Sequence, residues 1–223
     1  MSQTPDSDRC PDLDSKVEAA GECLRNSLID RRHALGTLGL TGMGAALFAS
    51  LPTAASADEV ALRLGGNDKL DVPEAWARKN RSAGAYHRYL NSLRLKSIDA
   101  AQVIDSHVKQ RRGVWNVLPP RNTWKRMGYI LKVVDRIARE MNVNEVEVIS
   151  AYRSPAYNAR CYGAKKGSWH QENVAVDVSF AKTRPSKVTR TARELRRLGL
   201  FNGGVGGYRR FTHVDARGYD ADW

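Results

Sequence analysis

Hydrophobic and polar residues alternate strictly at two places in the C-terminal part of the chain. From Asn173 to Phe180, valine or phenylalanine occupies every second position, with polar or small residues between them. This period of two predicts a strand with one side in the core, so Asp177 is expected on the opposite side. Residues 211–215 alternate in the same way and predict a second strand, with His213 and Asp215 sharing one side.

Other stretches have a helical period. Apolar residues recur every three or four positions over 124–141, which predicts a helix of about five turns with one buried side. Shorter helices are expected over 86–97, 155–161 and 186–199, the last capped by Ser186, and a further strand over 146–150. The predicted fold class is therefore α+β, a single domain with a small antiparallel sheet flanked by helices.

Two stretches show no clear period. Residues 58–84 contain Gly65, Gly66 and Pro73 and are expected to form an irregular arm or linker. Residues 203–207 read G-G-V-G-G and would permit a close approach of the backbone before the last strand. No helix follows these glycines, so they do not indicate a phosphate-binding loop.

The N-terminal part has the pattern of an export signal. Arg31 and Arg32 precede an uncharged stretch over 33–57, which ends in A-S-A directly before Asp58. This pattern is typical of a twin-arginine signal and predicts a periplasmic protein. A transmembrane anchor is the competing interpretation, but the stretch is rich in small residues and ends at a cleavage-like sequence. The expected organisation is a signal region over 1–57, the arm over 58–84 and one domain over 85–223.

The charge of the chain suits an anionic partner, but the basic residues are scattered along the sequence, and an ordinary solvated surface is the favoured interpretation of each single cluster. The formal net charge is +12, and all of the basic excess falls after residue 57. Such a balance suits an acidic envelope polymer or nucleic acid. Export argues against nucleic acid. Cys161 is the only cysteine after residue 57, so an internal disulfide is excluded for an exported domain that begins there.

Two histidines and an aspartate form the candidate chemical site. His170 lies seven residues before Asp177, and His213 lies in the second predicted strand. Two imidazoles and one carboxylate suit a zinc ion that keeps a position open for water, which is typical of a hydrolytic site. The spacing alone is common by chance, and each residue could simply make hydrogen bonds. The strand alternation favours one shared zinc ion per chain.

Three ordered motifs carry a resemblance to a known family. They are S-A-Y-R-S-P-A-Y-N over 150–158, S-W-H-x6-D over 168–177 and G-G-V-G-G-Y-x-x-F-T-H-V-D over 203–215. Together they resemble the zinc D-Ala-D-Ala metallopeptidases, a peptidoglycan-cleaving family whose fold is shared by the hedgehog signalling domain. The likeness is closest to the twin-arginine-exported, murein endopeptidase K-like branch, because a G-x-x-x-x-W segment over 218–223 follows the last motif.

The resemblance implies a set of roles. His170, Asp177 and His213 would bind zinc, and Arg153 of the Y-R-S motif would face the substrate. The implied activity is hydrolysis of peptide bonds in peptidoglycan stems by a zinc-bound water, with a murein endopeptidase favoured over a D,D-carboxypeptidase. Arg153 could instead pair with a surface acid.

The chain departs from the family pattern at the positions of the usual general base. A glutamate or histidine expected shortly before the last ligand is replaced by Arg210 and Phe211, and a motif glycine by Asn173. Asp215 is therefore the candidate for the proton-handling or ligand-orienting role, and Glu172 a weaker one. The departures leave an alternative function, a non-catalytic zinc-containing module that binds the cell wall.

Overall fold

The computed structural model describes residues 72–223, so the predicted signal and most of the predicted arm lie outside the described residues. The helices are α1 Glu74–Ala77, α2 Ala83–Ser92, α3 Ala100–Asp105, α4 Trp124–Glu140, α5 Pro155–Asn158 and α6 Pro185–Arg197. The strands are β1 Gln110–Arg111, β2 Val114–Trp115, β3 Val146–Ser150, β4 Ala175–Phe180, β5 Gly204–Gly207, β6 Thr212–Asp215 and β7 Ala221–Asp222.

Five strands form the main sheet in the order β3-β4-β6-β5-β7. Neighbouring strands are antiparallel except β5 and β7, which are parallel. Strands β1 and β2 form a separate antiparallel pair. The predicted α+β class is thus confirmed, with the difference that the main sheet is mixed.

Helices α4 and α6 pack against the main sheet and form the core with it. Val176, Val178 and Phe180 of β4 are almost fully buried, as the alternation predicted. The buried side of α4 contributes a matching apolar row, and full burial of each such side chain stabilises the fold by roughly 1.5–3 kcal/mol. Within residues 72–223, every helix is too short or too polar to cross a lipid bilayer.

Helix α6 begins one residue earlier than predicted and is capped differently. Pro185 is its first residue and Arg184 occupies the capping position, with no side-chain hydrogen bond there. Proline favours the first helical position because its φ is already helical and its missing N–H would be unpaired anyway. The prediction of Ser186 as the cap is therefore wrong.

Strand β5 was not predicted, because its glycines carry no side chain that could alternate. Glycine is required at two positions of this stretch, because neighbouring groups leave no room for a Cβ atom. A Cβ atom on Gly206 would lie 2.5 Å from the indole of Trp223, and one on Gly203 only 1.7 Å from the backbone oxygen of Asp215. The expectation of a close backbone approach in this stretch is confirmed at Gly203, directly before the strand, and within the strand the indole of Trp223 lies against Gly206.

The domain begins before residue 85. Trp76 in α1 is fully buried, and its indole Nε1 donates a 2.8 Å hydrogen bond to the backbone oxygen of Asn116. The side chain of Asn80 accepts a 2.7 Å hydrogen bond from the backbone N–H of Leu118. The described part of the predicted arm is therefore packed into the core, and the prediction of an irregular segment up to residue 84 is wrong for these residues.

Replacing Trp76 with alanine tests this boundary. We expect Trp76→Ala in the full chain to lower the free energy of unfolding by about 3–5 kcal/mol, because it leaves a cavity and an unpaired carbonyl. Glu74→Ala changes an exposed residue of the same helix and should leave stability almost unchanged. Urea denaturation followed by circular dichroism measures both, and equal midpoints would contradict the extended boundary.

Candidate metal centre

The register of two central strands brings two of the three predicted ligands together. Asp177 of β4 lies directly opposite His213 of β6, so both side chains project from the same side of the sheet. His170 lies in the turn that leads into β4, as expected from the sequence. One ligand atom from each of the three residues lies within 4.8 Å of the other two, and all three residues are buried.

The two imidazole rings converge on one carboxylate oxygen of Asp177. His170 Nε2 lies 3.3 Å from Asp177 Oδ1, and His213 Nδ1 lies 2.8 Å from the same oxygen. The two imidazole rings approach each other edge to face, with 5.1 Å between their centroids. This arrangement fits the donor set of a single metal ion with nitrogen and oxygen ligands.

Hydrogen bonds fix which nitrogen of each histidine is free to bind a metal. His170 Nδ1 lies 2.7 Å from the backbone oxygen of Ala151, and His213 Nε2 lies 2.9 Å from Asp215 Oδ2. A carbonyl and a carboxylate can only accept, so these two nitrogens donate. His170 Nε2 and His213 Nδ1 both face Asp177, so they are the nitrogens that would bind a metal ion.

The electrostatics of the site keep Asp177 ionised. Burial alone would raise the pKa of this carboxyl, but His170 and His213 hold the pKa well below its usual range. Burial lowers the pKa of His170 against the opposing effect of Asp177. The pKa of His213 is raised despite burial, because Asp177 and Asp215 flank its ring. A metal ion and a proton therefore compete for the Nδ1 atom of His213.

Asp215 is a fully buried carboxylate whose two oxygens are both engaged. Oδ1 accepts hydrogen bonds from the backbone N–H of Gly204 at 2.9 Å and from Arg217 Nε at 2.8 Å, and Oδ2 accepts from Arg217 Nη2 at 2.5 Å as well as from His213. Burial would raise the pKa of Asp215, but Arg217 and His213 hold it low. This geometry suits orientation of His213 better than acceptance of a proton.

Arg217 was missed by the sequence analysis. Its guanidinium lies 4.9–5.6 Å from the ring centroids of Trp169, Tyr219 and Trp223, within reach of cation–π attraction to each. These rings and the pair with Asp215 hold the arginine in place. Its spacing of two residues from Asp215 was a usable signal, because alternate residues of an extended chain share a side.

Arg153 contacts the candidate ligand Asp177 directly. Its Nη2 atom lies 2.6 Å from Asp177 Oδ2, and its Nε donates a 2.8 Å hydrogen bond to the hydroxyl of Ser150. Its backbone N–H also donates to the backbone oxygen of His170. The arginine therefore lies at the predicted site and pairs with a buried acid rather than with a surface acid. A role in contacting substrate stays a prediction.

The departures from the family pattern have local explanations. Asn173 adopts a φ of 60°, a left-handed conformation that favours glycine and is tolerated by asparagine. Glu172 lies 3.7 Å from Arg126, in a half-buried ion pair. Arg210 is exposed, and Phe211 stacks on Tyr208 with 4.5 Å between the ring centroids. Neither residue can serve as a general base.

Comparison with known proteins places the chain in a family. The model of the family described as Peptidase M15 matches residues 99–215, slightly more than half of the chain. The matched part contains His170, Asp177 and His213, whereas Arg217 and Trp223 lie beyond it. No curated protein matches the chain, and no solved structure does. The family match, together with the metal-binding geometry of the matched residues, shows that the chain belongs to the peptidase M15 family of metallopeptidases.

Proposed function

We propose that this protein is an exported zinc peptidase that hydrolyses peptide bonds in the peptide stems of peptidoglycan. The observation that carries the proposal is the convergence of His170 Nε2, Asp177 Oδ1 and His213 Nδ1 in a chain of the M15 family. Two neutral imidazoles and one carboxylate are a typical donor set for catalytic zinc, which keeps a coordination position for water or substrate. Bound zinc would supply Lewis-acid chemistry, activating water at neutral pH and polarising a carbonyl oxygen.

The remaining groups of the site orient the ligands and the substrate. Asp215 holds the proton of His213 on Nε2, and the carbonyl of Ala151 holds that of His170 on Nδ1. Arg153 donates its Nε N–H to the hydroxyl of Ser150 and one N–H of Nη2 to the carboxylate of Asp177. A guanidinium has five N–H groups, so three are left to hold a peptide carbonyl and the negative charge that develops on it.

A murein endopeptidase in the periplasm is the finer proposal. The G-x-x-x-x-W segment over 218–223 supports it, because the ring of Trp223 lies 5.3 Å from the ring of His213 and thus borders the site. The twin-arginine pattern at Arg31 and Arg32 supports export. The basic charge suits an acidic wall polymer, and export disfavours nucleic acid as the partner.

One observation favours a second candidate, a wall-binding module that keeps the metal site without turnover. The usual base positions hold Arg210 and Phe211, and both oxygens of Asp215 are occupied by hydrogen bonds. Such a module would still bind zinc and peptidoglycan. A hydrolysis assay separates the two functions.

Purified peptidoglycan provides that assay. We expect the zinc-loaded protein to release new peptide ends from cross-linked muropeptides, and a chelator or His170→Gln to abolish the release. His87→Gln changes another buried histidine, outside the site, and should retain activity. Mass spectrometry of the digests identifies the bond that is cut. Folded, zinc-loaded protein that releases no peptide ends from any peptidoglycan would favour the binding module.

Asp215→Asn tests the orientation of His213. Five N–H groups point at the two oxygens of Asp215, and an amide would replace one oxygen with a further donor. We expect the affinity for zinc to fall by about 10- to 100-fold, as for other partners of metal-binding histidines. Competition with a chromophoric chelator measures the affinity. Asp105→Asn, at an exposed position, is the control, and equal affinities of the two variants would exclude the orienting role.

Arg153→Lys tests the contact with substrate. Lysine keeps the charge beside Asp177 but lacks the planar array of donors. We expect kcat/KM to fall by about 100-fold, the effect of removing one donor from a developing oxyanion. Zinc content measured on the same sample should be unchanged. Activity close to wild type would instead restrict Arg153 to a structural pairing with Asp177.

A further inference from the structure

A cleft with four arginines among its ten lining residues lies beside the metal centre. Its volume is about 750 Å³, and it runs between helix α6 and the ends of strands β5 and β7, where Gly207, Tyr208, Asp222 and Trp223 line it. Arg190, Arg193 and Arg197 follow one another at intervals of three and four residues, so they share one side of α6 and form one wall of the cleft.

Two of these arginines have no acidic partner among residues 72–223. Arg193 Nε lies 3.0 Å from Asp222, and the neighbouring Arg196 is held by the same carboxylate. Arg190 and Arg197 are exposed, and neither forms an ion pair with another described residue. Cations placed so close together repel one another, which is a cost that an anionic ligand would remove.

Two aromatic residues of the lining connect the cleft to the metal centre. Tyr208 and Trp223 both line the cleft, and Trp223 Nε1 donates a 2.8 Å hydrogen bond to the hydroxyl of Tyr208. The indole of Trp223 also lies 5.3 Å from the ring of His213, between centroids. Gly206 leaves room for this indole, because a Cβ atom there would lie 2.5 Å from it. One extended molecule can therefore contact both places.

We propose that this cleft is a binding subsite for the carboxylates of an acidic peptide whose scissile bond lies at the metal centre. Arg190 and Arg197 are the carboxylate ligands, since a guanidinium binds a carboxylate through two parallel N–H groups. Tyr208 and Trp223 contact the apolar part of the same peptide. This inference rests on the proposed function, because it assigns the cleft to the substrate of that site.

The double variant Arg190→Gln/Arg197→Gln tests the subsite, with Arg184→Gln/Lys187→Gln as a charge-matched control. The control positions are exposed and belong to the start of the same helix, outside the cleft lining. The substrates are two cross-linked muropeptides, identical except that one carries free stem carboxylates and the other carries amides. We expect wild type and control to prefer the free acid by about tenfold in kcat/KM, as one charge-assisted contact implies. The double variant should lose this preference.

Direct binding separates failure of the subsite from failure of the proposed function. Fluorescence anisotropy of the labelled acidic and amidated muropeptides on zinc-loaded protein gives the same comparison when no hydrolysis occurs. Protein that hydrolyses neither muropeptide but binds the acidic one through Arg190 and Arg197 supports the cleft and contradicts the peptidase. An equal affinity for both muropeptides in wild type, or a preference that persists in the double variant, would overturn the subsite. The preference should weaken with added salt, because the arginines are exposed.

Discussion

The buried carboxylate of Asp177 is the group on which the rest of the site depends. It contacts both histidines and the guanidinium of Arg153, and it lies on a central strand of the main sheet. An ionised carboxylate at this depth is unstable without partners, so the two imidazoles and the arginine stabilise it. The pairing of β4 with β6 sets the distance to His213, and valines on the opposite side of β4 fix the register by packing in the core.

Around this carboxylate, the protein arranges groups in successive layers of hydrogen bonds. His213 is held by Asp215, Asp215 by Arg217, and Arg217 by three aromatic rings. Each contact restricts the next group inward, so the histidine ring is oriented before any metal binds. One of these rings, that of Trp223, also lines the arginine cleft. The metal centre and the cleft thus share one structural element, which is why a single substrate could be recognised by both.

Local patterns in the sequence predicted the elements whose two sides differ. The alternation around Asp177 and His213 and the helical period over 124–141 reflect one apolar side packed in the core, and such a signal is visible without knowledge of the partner elements. Strand β5 escaped because glycines do not alternate, and the one-turn helix around Trp76 is too short to show a period. The pair between Arg153 and Asp177 joins residues 24 positions apart and depends on how β3 and β4 meet. Pairings of this kind are not encoded in any local window.

The central claim is that one metal ion binds between His170, Asp177 and His213. A crystal structure of the zinc-loaded protein, with anomalous data collected at the zinc edge, tests it most directly. We expect a single anomalous peak about 2.0–2.2 Å from His170 Nε2, His213 Nδ1 and an oxygen of Asp177. A zinc ion bound elsewhere, ligation through His213 Nε2 or the absence of any ordered zinc would contradict the account.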